Sequence, residues 1–324
     1  MRALRVHGYG PGDGIVLDEM PLPAPGAGQL RLRVQACGIS FVDLLLARGG
    51  YQLRPEPPFV PGSEFCGVVD AIGPGTATPL QVGDLVCGTR QGAWAEHLCI
   101  DAGRAHRVGA GTPAAEAAVL VAPFATALYA LRERGHARAG DTVLVLGAGG
   151  GVGHAAVQMA RQLGVRVIAA ASDAAKRAAA QAAGADALVD SAQPDWKDAV
   201  KALAGPRGVD LVFDTVGGDT TDAAFRTLGW GGRHLMVGFA GGRIGALKTN
   251  LAIVKGAALV GVDFRQAGER DPAAAAALRE EVVALHAQGR IRPLLHRVLP
   301  VERFAEAAAL AQDRATIGRV VFTF

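Results

Sequence analysis

The period of the apolar positions changes along this chain, and each change marks a different architecture. Up to about residue 118, short strand-like runs (LRLRVQACGI, FCGVVDAIG, DLVCG, WAEHLCI) are separated by Gly and Pro. That is the texture of a compact, mostly β domain. Residues 43–48 (DLLLAR) interrupt it with a helical turn, and the Pro-rich loop GGYQLRPEPPFVPG follows. From 114 to 134 the chain turns Ala-rich and helical. Beyond that, strand-length apolar runs alternate with helix-period segments, the signature of a doubly wound parallel sheet. RDPAAAAALREEVVALHAQG predicts a helix with Asp271 as cap, Pro272 in its first turn and Gly289 as its stop. Residues 291–324 return to a strand, helix, strand texture and are expected to rejoin the first domain. The fold class is α/β: a catalytic domain over 1–120 and 263–324, and a dinucleotide-binding domain over 121–262.

The most informative stretch is 141–173, DTVLVLGAGGGVGHAAVQMARQLGVRVIAAASD. An apolar run at 143–146 is too short for a helix and ends in a Gly cluster. Val152, Ala155, Ala156, Met159 and Leu163 then recur at helical spacing, Gly164 closes the segment, and a second apolar run fills 165–169. Strand, Gly turn, helix and strand make a βαβ unit, the setting in which such a turn binds a dinucleotide. In the best register Ala148 takes the first Gly position, a departure. Gly150 lets the backbone approach a pyrophosphate, and Gly153 lets the helix pack on the strand. The N–H groups at the helix start, around Gly151 and Val152, face the phosphate charge. No carboxylate stands at Ala170 or Ala171, where NAD would need a partner for its ribose hydroxyl, whereas Ser172, Lys176 and Arg177 follow. A hydroxyl and two cations suit a 2′-phosphate, so the sequence favours NADPH. Asp173 has two readings, a ribose ligand or the N-cap of a helix starting at Ala174, and N-cap preference favours the second.

Composition narrows the class. At 324 residues two domains are the natural expectation, and a hydrophobic fraction of 50% supplies sizeable cores. Lys plus Arg (33) and Asp plus Glu (30) nearly cancel, and the basic residues are scattered, which argues against nucleic acid as a partner. With neither a long apolar run nor a secretory h-region, no membrane insertion and a cytoplasmic location are expected. Cys37, Cys66, Cys87 and Cys99 lack C-x-x-C spacing and read as reduced thiols.

Several further motifs stand in a recognisable order: GISFVDLLL, VPGSEFCGVVDAIGPG, QVGDLV, GAWAEH, LGAGGGVG, FDTVGG, GFAGGRI and the terminal GRVVF. With them the chain resembles, end to end, the zinc-free quinone oxidoreductase (zeta-crystallin-like) branch of the medium-chain dehydrogenase/reductase superfamily. The resemblance implies a GroES-like catalytic domain, a Rossmann domain, NADPH, and a homodimer joined through the Rossmann sheet edge, for which the β run at 257–262 is the candidate. Zinc-dependent relatives place a ligand Cys at the position of Ser40 and a ligand His at that of Ser63. Serine is a poor zinc ligand, Glu64 alone cannot build a site, and the cysteine lobe for structural zinc is missing, so no metal is expected. Cys37 and Cys66 read as small core residues.

Without a Lewis acid, the acceptor itself must spread the developing charge, which points to a quinone or another conjugated acceptor. An enoyl-thioester or alkenal reductase is the alternative enzyme. A redox-sensing or structural NADPH-binding protein without turnover is the alternative of another class. Carried over residue by residue, the resemblance assigns Ser40, Asp43 and Tyr51 to the catalytic pocket, with Leu45 replacing a family Tyr. It assigns Thr126 to the nicotinamide, Ser172 and Lys176 to the 2′-phosphate, and Thr215, Gly217, Phe239 and Gly241 to the remaining cofactor contacts. Ser191 replaces a Tyr on the adenine side. Tyr51 could equally pack its loop, and Asp43 could equally cap its helix. His97, His154 and His234 show no metal spacing.

Overall fold

Period-2 patterning builds the first part of the chain, and in the computed structural model, which describes residues 1–10, 14–109 and 111–324, it yields strands of alternating burial. In order these are β1 (Arg2–Val6), β2 (Ile15–Glu19), β3 (Gln29–Ile39), helix α1 (Phe41–Ala47), β4 (Glu64–Ile72), β5 (Leu85–Thr89), β6 (His97–Asp101) and β7 (Ala105–Arg107). Helices α2 (Ala114–Ala118) and α3 (Val121–Leu128) follow, and α3 runs on as a π-helical turn over Tyr129–Arg134. The Ala-rich stretch is therefore broken rather than one helix. Pro123 is tolerated only where no N–H donor is needed, and this restricts where α3 can begin.

Then come β8 (Thr142–Leu146), α4 (Gly151–Gln162), β9 (Arg166–Ala171), α5 (Ala174–Ala182), β10 (Ala187–Asp190), α6 (Trp196–Ala204), β11 (Val209–Asp214), α7 (Thr220–Phe225), β12 (Leu228–Met236), α8 (Asn250–Lys255), β13 (Ala258–Gly261) and α9 (Phe264–Arg270). The chain finishes with α10 (Pro272–Ala287), β14 (Leu295–Pro300), α11 (Phe304–Gln312) and β15 (Arg319–Thr323). Asp271 caps α10 by accepting from Ala274 N at 3.0 Å, as its sequence predicts.

Two compact units result, one of Met1–Ala122 with Arg279–Phe324, the other of Pro123–Leu278. The return comes at Arg279 rather than at residue 263. Phe264 packs its ring 5.5 Å from that of Tyr129, and Arg134 Nε donates to Gly261 O at 3.1 Å, which keeps β13 and α9 with the second unit.

The first unit is a seven-stranded sheet ordered β14-β15-β3-β4-β5-β7, with β6 also on β3. Its core centres on Trp94, packed edge-on against Phe304 and Phe322 at 4.9 and 5.7 Å. The second unit is a six-stranded sheet ordered β10-β9-β8-β11-β12-β13, parallel at every pairing. From β8 the chain winds outward through β9 and β10, then crosses back to place β11 on the other side of β8. That reversal is a topological switch point, where the carboxyl ends of two neighbouring strands splay their turns and leave a crevice. No helix among the described residues is long and apolar enough to cross a membrane.

Candidate functional site

Gly147, with φ +70°, makes the turn out of β8, one residue ahead of Ala148, which is buried. Gly150 is the N-cap of α4, and the nearest atom to a Cβ built there is Gly147 O at 3.5 Å, so the approach to the helix start is open. Gly151 and Val152 form the start of the helix itself, both half-buried. A Cβ on Gly153 would lie 2.1 Å from Gly147 O, so only glycine lets α4 pack this closely. The turn is a cradle of the kind a pyrophosphate fits, with helix-start N–H groups unsatisfied within the helix.

Lys176 runs across this turn, its Cβ and Cγ 2.6 and 2.5 Å from where a Gly149 Cβ would stand, and its Nζ lies 3.5 Å from Asp173 Oδ2. Asp173 is the N-cap of α5, accepting from Lys176 N at 2.9 Å, so the capping reading holds. Arg177 pairs with Asp190 at 3.0 Å and donates to Ala171 O at 3.1 Å, while Ser172 is exposed beside them. His154 is buried in α4, and burial lowers its pKa to about 4. It is a neutral core residue at physiological pH.

On the far side of the switch point, the turn after β11 joins the others. Thr215 Oγ1 donates to Leu146 O at 3.0 Å and tethers this turn to the end of β8. Ala240 N donates to Thr215 O and Gly241 N to Val216 O, both at 2.9 Å. A Cβ on Gly217 (φ +70°) would lie 2.6 Å from Phe239 Cδ1. Thr215, Gly217, Phe239 and Gly241 thus form one assembly. Thr126, half-buried on α3, is not among the residues these hydrogen bonds join.

Beneath the assembly lies Asp214, fully buried and overlooked by sequence reasoning although it ends the strand of the FDTVGG motif. Its Oδ1 accepts from Val216 N and Gly217 N at 2.8 and 2.9 Å. Its Oδ2 accepts from Thr221 Oγ1 at 3.1 Å and His234 Nε2 at 3.0 Å. Burial pushes the carboxyl up, but the His234 hydrogen bond and the two amides outweigh it and hold the pKa below the usual carboxylate range.

In the first unit, Ser40 is the N-cap of α1 and shares a capping box with Asp43. Asp43 N donates to Ser40 Oγ at 3.0 Å; Ser40 N and Ser40 Oγ donate to Asp43 Oδ2 at 2.9 and 2.7 Å. The Ser63 hydroxyl bonds the same carboxylate. The two positions that carry metal ligands in zinc-dependent relatives are therefore knitted together around Asp43. Burial raises the Asp43 pKa, opposed by the Ser40 and Ser63 hydrogen bonds and the field of Arg319. Next to it, Glu64 is buried and salt-bridged to Arg319; burial raises its pKa against the attraction of that cation. Burial also drives the Cys37 thiol well up and Cys66 to about 12, so both are inert core residues.

Tyr51 is half-buried, its hydroxyl 3.5 Å from Gln52 Nε2, and it does not join the Ser40–Asp43 cluster. Its loop is instead organised by Tyr9, whose hydroxyl donates to Pro55 O. The Tyr9 ring takes Arg54 at 4.8 Å and lies 6.0 Å from Phe59. Sequence reasoning missed Tyr9, because nothing in its local HGYG context points to a loop more than forty residues on.

Comparison with known proteins adds a second line of observation. Residues 26–127 match the family described as alcohol dehydrogenase GroES-like domain, and 151–280 that described as zinc-binding dehydrogenase. Quinone oxidoreductase-like protein 2 of Rattus norvegicus is 34% identical over 304 residues, covering 93% of this chain and 87% of that protein. The quinone oxidoreductase of Thermus thermophilus, solved also as its complex with NADPH, superposes with a TM-score of 0.87 at 30% identity over 100% of both chains. A mycobacterial protein, Rv1454c, solved with NADPH, gives a TM-score of 0.89 at 32% identity, again over 100% of both.

Proposed function

Because the chain belongs to the medium-chain dehydrogenase/reductase superfamily, in its quinone oxidoreductase branch, we propose that this oxidoreductase uses NADPH to reduce quinones and related conjugated acceptors, without zinc. The observation that carries the reading is the Ser40–Asp43–Ser63 cluster. Two hydroxyls occupy the positions of metal ligands, and both are engaged with a carboxylate. Among the described residues no three His, Cys, Asp or Glu side chains converge to hold a metal ion.

Bound NADPH supplies a hydride. The chain's own residues bind and orient. Amides at Gly151, Val152 and Gly153 would hold the pyrophosphate, with Gly150, whose own amide donates to Gly147 O at 3.0 Å, keeping the approach open, and Ser172 with Lys176 would take the 2′-phosphate. Thr126 and the assembly of Thr215, Gly217, Phe239 and Gly241 hold the nicotinamide half. The Ser40 hydroxyl proton is committed to Asp43, so donation to the acceptor oxygen falls to Tyr51. One hydrogen bond suffices when the acceptor's own π-system spreads the incoming charge, and it does not suffice for an isolated alkoxide.

A homodimer through β13 fits the same reading. β13 is one of the sheet's two edges, and Trp230, Ile253 and Leu259 are exposed by 82%, 81% and 51% on and beside it.

The test is NADPH oxidation with a quinone and with a simple ketone, alongside NADPH and NADH titrations. The quinone should turn over readily and the ketone poorly, and NADPH should bind at least about tenfold tighter than NADH, ~1.4 kcal/mol. Lys176→Ala should erase most of that difference. Fast ketone reduction by metal-free protein, or equal affinity for the two cofactors, would overturn the proposal.

A further inference from the structure

We infer that His234 is a positioning residue for the nicotinamide half of the cofactor, acting through Asp214 on the two loops that hold it. The inference rests on the reading that these loops contact that half. Asp214 governs both. Its carboxylate takes Val216 N and Gly217 N, fixing the first loop, and its backbone carbonyl takes Val237 N and Gly238 N at 2.8 and 3.2 Å, fixing the start of the second. The carboxylate's remaining donors, Thr221 and His234, hold its other oxygen.

His234 stands on the neighbouring strand β12, in register with Val212. Its ring is fully buried and stacked on Phe225 at 6.0 Å and 19°. A carboxylate only accepts, so Nε2 carries a proton and donates. Nδ1 is buried with no partner. Packing alone would be served better by a leucine, because an unpartnered buried polar atom destabilises a fold. The ring keeps that orphan atom while making one hydrogen bond, and the bond goes to the residue from which both loops hang. The His234 side chain makes no other hydrogen bond among the described residues, so its polar influence on the loops passes through Asp214.

The experiment titrates NADPH and adenosine 2′,5′-bisphosphate, which lacks the nicotinamide half, into the full-length parent and into His234→Leu, His234→Gln and Gly217→Ala. His234→Leu should weaken NADPH at least about tenfold and leave the bisphosphate within about twofold. It should raise the KM for NADPH more than it lowers kcat. His234→Gln, which restores a donor toward Asp214, should recover most of the affinity. Unchanged NADPH binding in His234→Leu, equal loss of both ligands, or no rescue by Gln would overturn the inference. Gly217→Ala separates that failure from failure of the underlying reading. If its Cβ, pressed against Phe239, also leaves NADPH affinity unchanged, the loops do not hold the nicotinamide half at all. If it weakens NADPH while His234→Leu does not, only the role of His234 falls.

Discussion

Asp43 and Asp214 are each buried to within 1% of complete, one in each unit, and the fold treats them in opposite ways. Asp43 receives one backbone amide and two serine hydroxyls, and burial still wins, leaving its pKa raised. Asp214 receives two backbone amides, a threonine hydroxyl and an imidazole, and the donors win, leaving its pKa lowered. Rigid amides and an imidazole stabilise a charge better than hydroxyls, which can rotate away and serve either protonation state. The second unit thus builds a fixed anionic post under its loops. The first holds a carboxylate whose burial favours its protonated form.

The largest effect should come from Asp214→Asn. Turning one oxygen into an NH2 sets a donor against donors and strips the charge from four hydrogen bonds, at a cost of about 4 kcal/mol in urea unfolding. A cost as small as that of Asp43→Asn would break the contrast. Next, Glu64→Gln leaves the Arg319 cation, 11% exposed, without its counter-charge; a loss of about 3 kcal/mol is expected in the same measurement. An unchanged midpoint would mean that water relaxes around Arg319 and that the first unit is less sealed than its burial indicates. Asp43→Asn should cost least, about 1 kcal/mol or less, since burial already favours a neutral side chain there.

The pH dependence sharpens the same contrast, because the two shifts have opposite signs. The lowered pKa of Asp214 contributes stability that is fully present above 3.8, the ordinary value, and is lost as pH falls through the lower folded value. The raised pKa of Asp43 contributes stability that is fully present below 3.8 and is lost as pH rises through the higher folded value. Stability measured against pH should therefore show Asp43→Asn gaining on the parent as pH rises from 3.8. The deficit of Asp214→Asn should instead hold steady above 3.8 and shrink below it. Parallel curves for both variants would show that the two carboxylates are not distinguished.

Legibility from sequence follows the range of the interaction. Gly153 and Asp173 were readable because their reasons lie within one turn of helix: a Cβ would strike Gly147 O, and a short acidic side chain reaches the amide three residues on. The strand-helix alternation of the second unit was equally plain, because β8 and β11 each carry an unbroken apolar run, at 143–146 and 211–213, as strands covered on both faces do. His234 was not readable. Its partner is 20 residues away, and the contact exists only because the sheet sets β12 beside β11. Tyr9 failed for the same reason, its hydroxyl partner lying 46 residues on at Pro55. The return at Arg279 was hidden because α10 is one unbroken helix, and periodicity does not reveal which unit each half of it packs with.

The salt bridge between Glu64 and Arg319 spans 255 residues of chain, and that separation governs the order in which the protein comes into being on the ribosome. Glu64 is translated early, while the strand that carries its partner follows the whole of Pro123–Leu278. At about 5–20 residues per second, the carboxylate waits roughly 13 to 50 s for its cation. Over that time β3 lacks β15 along one edge and the first unit stays unfinished, while the second, continuous in sequence, can close its sheet. The half of the molecule that is translated first is the half completed last, and a chaperone acting during synthesis would find its exposed edge on β3.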